Sequence, residues 1–507
     1  MTPIGKLATF VAAVALVPAA ASAEWLEAKT SHFTIYGNTG QKQMQAFAEQ
    51  LERFDSALRF VLRLPPPEPD SPNRVTLYMV GTIEEVERRA GRTGVAGFYR
   101  ATAEGALAVV PQRSDDAVFT TQVLFHEYVH HLTLSNSANP YPSWAAEGLA
   151  EFFGTSTINN KGAVTIGVPN NARAYSILSD SPMAASTLLA DEPLKGEELQ
   201  DQKYARAWLL THYLLVGGKR TNQFAAYLGL LNSGISQPEA ASKAFGDIGA
   251  LNRELNSYRF GSIGGRIIAP EKLHPEPVTI RQMSPAESAI MPYRLRSATG
   301  VDRKQALALV DPARKAASAF PGDAFVWRSL AEIEFDAGNT DAAEAACDKA
   351  LAIDPTNFGA LMYKGRVRVR RAAEAKAPAK WAEARPWFLK ANKSNPNAAA
   401  PFVSYYDSFV GSGQTPTKNA VDGLLRAAYL VPQDKDILWR AATAEINLGD
   451  IPLARQLLRP IAYDPHGGKD NPARKLLDQL ATTTDPAAAR AALAALGKTP
   501  SDDDDDE

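Results

Sequence analysis

The chain has 507 residues, 45% of them hydrophobic and 22% charged, which is too long for one core and ordinary for a folded protein of two or three domains. Its formal net charge of -2 includes the acidic run at 502–507, and the other charges are interspersed, so nucleic acid is not an expected partner. The single cysteine, Cys347, excludes an intramolecular disulfide.

Residues 1–23 read as a secretory signal peptide: Lys6 is their only charge, "LATFVAAVALVPAAA" is an apolar core, and "ASA" precedes Glu24. The apolar run is short for a membrane span, so no span is expected after cleavage. An exported chain without disulfides suggests a bacterial periplasm. From residue 24 to about 115, strand and helix patterns alternate. "HFTIYG" (32–37) and "RVTLYMV" (74–80) have strand composition, and "QMQAFAEQLERFDSALRFVL" between them has helical spacing. "PPPEPDSP" (65–72) is a rigid loop, and "GALAVVP" (105–111) is a strand whose edge could receive an extended substrate.

Residues 117–260 are expected to be mainly helical, with a strand pair around "GAVTIGVP" (162–169). In this region "HEYVH" places His126 and His130 four residues apart, on one helical face, with Glu127 beside the first. After "NPYPS", with Ser143 as expected helix cap, "WAAEGLAEFF" carries Glu147 and Glu151, also four apart. Sixteen residues between His130 and Glu147 allow one helix to end and a second to lie beside it. Two carboxylates among Leu149, Phe152 and Phe153 are poorly explained as a solvent face.

The joint pattern resembles the gluzincin zinc metallopeptidases, closest to the bacterial peptidase MA-like branch. The close resemblance covers about residues 120 to 155. It implies Zn2+ held by His126, His130 and Glu147, with Glu127 as general base and Glu151 as the carboxylate that orients His126. Relatives place a Tyr or His downstream to stabilise the oxyanion, which nominates Tyr204 in "YARAWLLTHYLL", with His212 in reserve. Ala146 stands where many gluzincins have Asn, and the aminopeptidase G-A-M-E-N motif is absent. His131, rotated about 140° from His126, is not expected to be a ligand. His32, His274 and His466 are expected to be structural or surface residues.

The stretch "GSIGGRIIAPEKLHPEPVTI" (261–280) reads as a domain junction. Beyond it, Trp327, Leu330, Ala331, Ala343, Ala350 and Pro355 fall at tetratricopeptide positions, and prolines recur at Pro321, Pro355, Pro396 and Pro432. The expected architecture is therefore an α+β zincin-like metallopeptidase domain (24–270) followed by an all-α tetratricopeptide-repeat solenoid (271–480). A C-terminal helix and acidic disordered tail (481–507) complete it. The expected function is zinc-dependent hydrolysis of a peptide or protein substrate, with the solenoid binding a protein partner. The alternative is a non-catalytic metal-binding protein whose solenoid is an interaction scaffold.

Overall fold

The computed structural model describes residues 24–65, 74–112, 117–136, 141–190, 197–220, 222–233, 235–464 and 471–496. The expected signal peptide, nearly all of the proline-rich loop, His466 and the acidic tail lie outside these residues. The first half opens with β1 (Leu26–Lys29), β2 (Phe33–Gly37), α1 (Gln41–Leu62), β3 (Val75–Val80), α2 (Ile83–Ala90), β4 (Phe98–Thr102) and β5 (Gly105–Pro111). Helix α1 forms because Met44, Ala48, Leu51, Phe54 and Leu58 recur at helical spacing and are all buried on one side. It ends at Arg63, which takes the left-handed conformation.

Helices α3 (Ala117–Ser135) and α4 (Ser143–Gly154) follow, then the short strands β6 (Thr157–Ile158) and β7 (Val164–Ile166). Next come α5 (Ala174–Ile177), α6 (Ala185–Ala190), α7 (Glu197–Leu215), α8 (Gln223–Asn232), α9 (Gln237–Phe245) and α10 (Ile248–Tyr258). Two more strands, β8 (Arg266–Ile268) and β9 (Thr279–Gln282), complete this half.

The main sheet has the order β4-β5-β3-β2-β1-β9. Strands β2, β3 and β5 are parallel, while β4, β1 and β9 pair antiparallel to their neighbours. This corrects the expectation for "GALAVVP": β5 is hydrogen-bonded on both sides and offers no edge, and the edge strands of the sheet are β4 on its side and β9 on the other. Strand alternation sends Leu77 and Met79 into one core with α1 and α3, and Tyr78 and Val80 into another. The expected strand pair is present as β6 and β7, extended by β8. The region expected to be a junction thus supplies a strand to each sheet, and β9 lies beyond the expected boundary at 270.

The second half is all helical: α11 (Pro285–Ala298), α12 (Arg303–Ala319), α13 (Ala324–Asp336), α14 (Thr340–Ile353), α15 (Phe358–Glu374) and α16 (Arg385–Ser394). It continues with α17 (Ala400–Val410), α18 (Lys418–Leu430), α19 (Lys435–Leu448), α20 (Ile451–Ala462), α21 (Pro472–Leu480) and α22 (Pro486–Ala495). Each helix packs on the next, and α15 also touches both α13 and α17, forming the inner row of a tetratricopeptide solenoid. The alanines at repeat positions, Ala331, Ala343, Ala350, Ala420 and Ala427, are fully buried where helices approach closely. Between α15 and α16, where the proline spacing widens from Pro355 to Pro396, lies a 3-10 segment at Pro378–Ala384.

The two halves are not separate beads. Met291 and Leu295 of α11, Met283 before it and Phe325 of α13 cover the second face of the main sheet, against Trp25, Tyr78, Val80 and Val109. Farther along, Ala101 of β4 and Ala103 in the β4–β5 turn pack against the solenoid, and Arg366 of α15 pairs with Glu104 in that turn. Gln433, between α18 and α19, donates to the carbonyl of His131 on α3 at 3.2 Å. Arg366 belongs to a basic run on α15 that the sequence reading passes over. Lys364, Arg368 and Arg371 in the same run are also paired with acids, so the run builds the fold.

Candidate metal centre

Helices α3 and α4 are adjacent, and α4 packs in turn against α7. The backbone of α4 meets α7 closely at Gly148: a Cβ there would lie 2.4 Å from Thr211 Oγ1 and 2.8 Å from the Ala207 carbonyl oxygen. Near its other end, Gly154 lies against Gln122 and His126 of α3. Small residues on α4 thus set the spacing that brings Glu147 to the histidines. Ser143, expected to cap this helix, is its first residue after the N-cap Pro142, and its hydroxyl bonds Lys203 instead.

Three donors converge. His126 Nε2 and His130 Nε2 are 3.2 Å apart, and the Glu147 carboxylate spans them, with Oε2 3.5 Å from His126 Nε2 and Oε1 3.5 Å from His130 Nε2. An ion held tetrahedrally by bonds of 2.0–2.2 Å has ligand–ligand edges of about 3.3–3.6 Å, so the spacing fits zinc. The electrostatics also favour a cation. Burial pushes the Glu147 carboxyl well above the usual range, Glu151 and Glu127 push it further, and Lys203 opposes them. Asp464, between α20 and α21 of the solenoid, acts on Glu147 in the same upward direction.

Glu151 Oε1 faces the other ring nitrogen of His126 at 4.0 Å. Its two oxygens accept from Asn170 Nδ2 at 2.7 Å and Arg173 Nη2 at 2.8 Å. Glu127 sits half-buried beside the donors, its carboxyl raised by burial and partly lowered by Arg92. Tyr204 of α7 also lies at the site: burial raises its phenol, and the Glu147 and Glu151 charges raise it further while Arg173 lowers it. His212, the reserve candidate, is turned into the interior. Its Nδ1 is 2.8 Å from the Tyr258 hydroxyl, Phe152 and Trp208 pack around the ring, and burial lowers its pKa.

His131 is buried, with Nδ1 2.8 Å from the Tyr99 hydroxyl of β4, so it joins α3 to the edge strand β4. His274 is exposed, whereas His32 is buried in a second acidic cluster with Glu52 and Asp55. His32 Nδ1 is 2.9 Å from Glu52, and its Nε2 is 3.4 Å from Asp55. The two ring nitrogens thus face different carboxylates. Asp55 is already engaged by Arg59 and the Tyr128 hydroxyl. This cluster reads as a buried polar network that anchors α3 through Tyr128.

The three residues singled out in the sequence, His126, His130 and Glu147, do come together, but sequence reasoning missed Asn170, Arg173, Lys203, Arg92 and Asp464, which come from loops and other helices without periodic signal. Fold and site together define an α+β domain with a His–His–Glu donor set joined to a tetratricopeptide solenoid. A family described as a protein of unknown function, DUF1570, matches residues 121–236, the stretch that carries all three donors. No curated protein matches the chain.

Among solved structures, the chain is similar to pilF of Pseudomonas aeruginosa at 20% identity, covering 42% of this chain and 91% of that one, with a TM-score of 0.32. It is similar to a thermophilic TPR protein of Thermus thermophilus at 15% identity, covering 41% and 99%, with a TM-score of 0.29. Yeast Tom70 matches at 14% identity over 63% of this chain and 72% of that one, with a TM-score of 0.26. Such low scores support no functional transfer. Among the described residues, no helix is long and apolar enough to cross a membrane.

Proposed function

We propose that the chain is an exported zinc-dependent peptidase in which His126, His130 and Glu147 hold the ion. The observation that carries this reading is the donor triangle, with edges of 3.2 and 3.5 Å, beside a half-buried carboxylate that is not one of the donors. Zinc bound there supplies Lewis acidity, polarising a substrate carbonyl and acidifying water. Glu127, its proton affinity raised by burial, accepts the proton of the attacking water and returns it to the leaving amine. Tyr204 offers a hydroxyl toward the developing oxyanion. The edge strand β4, rather than β5, is the strand placed to align an extended substrate.

The helical half supports a second reading, a metal-binding protein whose solenoid is a protein-interaction scaffold and whose metal site is silent. The retained Glu127 favours catalysis, because a purely structural site has no use for a base. Glu127→Gln separates the two. Under the first reading the variant keeps zinc and loses roughly 10²–10⁴-fold in cleavage of a peptide library. Zinc-loaded wild type that cleaves no peptide would leave the scaffold reading standing.

A further inference from the structure

We propose that Arg173 is a positioning residue of the metal centre, joining the carboxylate behind His126 to the helix that carries Tyr204. The inference rests on the metal reading above. Arg173 ends a short 3-10 turn at Asn171–Arg173, after β7 and outside both metal-bearing helices. Its guanidinium donates to Glu151 Oε1 on α4 at 2.8 Å and also to Asp201 on α7. Asp201 accepts from Ser176 at 3.0 Å as well, which ties α5 to the same point. One turn farther along α7, the Tyr204 ring lies under the guanidinium, 4.9 Å from centroid to carbon.

Arginine suits this position. Its planar fork can serve two carboxylates at once while one face stacks on a ring, and a lysine ammonium can do only part of this. With Asn170 on the second oxygen, Glu151 has each oxygen held by a separate donor. That leaves the carboxylate little freedom to rotate away from His126 Nδ1, 4.0 Å off, a gap that a shift of about 1 Å closes into a hydrogen bond. A carboxylate so placed sets the imidazole's tautomer and orientation, leaving Nε2 as the donor toward the metal. Without Arg173, Glu151 would be held by Asn170 on one oxygen alone, and α4 and α7 would lose their shared anchor across the site.

The test uses the full mature chain with Arg173→Ala and Arg173→Lys. Three quantities are read: zinc affinity by chelator competition, the visible spectrum of the cobalt-substituted protein, and thermal unfolding in chelator. Loss of such a support weakens metal binding by about 10–100-fold, and that loss is expected for Arg173→Ala. The cobalt spectrum should shift, and added methylguanidinium should recover part of the affinity, which a loss due only to misfolding would not show. Arg173→Lys should fall between wild type and Ala, and it decides the matter if the Ala variant does not fold. Wild-type affinity and an unchanged cobalt spectrum in both variants would overturn the role of Arg173 alone. Failure of the wild-type chain to bind zinc would overturn the metal reading beneath it.

Discussion

Substituting Gly148 by alanine probes the crossing that aims Glu147. The new methyl would sit 2.8 Å from the backbone oxygen of Ala207 and 2.4 Å from Thr211 Oγ1. The hydroxyl can rotate, but the carbonyl cannot, so α4 and α7 must part by roughly half an ångström or more to restore ordinary contact. Overpacking of this kind costs about 1–3 kcal/mol, and the better helix propensity of alanine returns about 1 kcal/mol. A net loss of up to about 2 kcal/mol lowers the melting temperature by up to about 8 °C for a domain of this size. Because Glu147 is the adjacent residue, zinc affinity should fall as well. Differential scanning calorimetry in chelator isolates the packing effect, and chelator competition measures the metal. Gly229→Ala on α8, where nothing lies within 4 Å of the added Cβ, is the control and should be neutral or slightly stabilising. A Gly148→Ala protein that gains as much in melting temperature as the Gly229→Ala control in chelator would refute the reasoning.

His130→Ala should abolish tight zinc binding while far-UV circular dichroism stays unchanged; stoichiometric zinc in that variant would sink the donor assignment. Asp434 caps α19 through the Ile437 amide, yet burial pushes its carboxyl from 3.8 up to about 6. The folded state therefore favours the neutral acid, and stability present below pH 4 is lost as pH rises through about 6, by on the order of 3 kcal/mol. Asp434→Asn keeps the cap without the charge, so denaturant melts should show it more stable than wild type at pH 7.5 and equal below pH 4; no gain at pH 7.5 would count against this account. Expression of residues 24–282 alone should give a protein that binds a hydrophobic dye and associates, because Trp25, Tyr78, Val80 and Val109 lose their cover. A monodisperse fragment with a cooperative melt would show that the sheet does not need the solenoid.

The donor set was legible because helical phase is local: four-residue spacings on α3 and α4 place His126 with His130 and Glu147 with Glu151 whatever the rest of the chain does. The repeats were legible for a similar reason, since buried alanines recur at a nearly constant period. Strand order was not. "GALAVVP" has the composition of a strand, but only pairing partners decide whether a strand is an edge, and β4, reading "FYRAT", gave little hydrophobic signal. Nor could Arg173 or Asn170 be found by periodicity, because both reach Glu151 from a turn whose position depends on tertiary packing. Prolines and glycines at 261–280 signal irregular chain, but they do not reveal that the segment returns to both sheets.

That return has a consequence for how the molecule assembles. Strand β1, the first described element, lies between β2 and β9, and Arg281 beside it bonds Glu27 across a separation of 254 residues. Contacts of such sequence separation close large loops and form slowly. A chain that emerges from its N-terminus can therefore form α1, α3 and the parallel strands early, but it holds an incomplete sheet edge until residue 282 has followed. The other sheet face stays uncovered until α11 and α13 have formed as well. During that interval β1 presents an unpaired edge, the kind of surface on which partly folded chains associate. Completion of the half that carries His126, His130 and Glu147 is thus timed by the start of the solenoid, and a factor that shields β1 during synthesis would act on yield rather than on the finished protein.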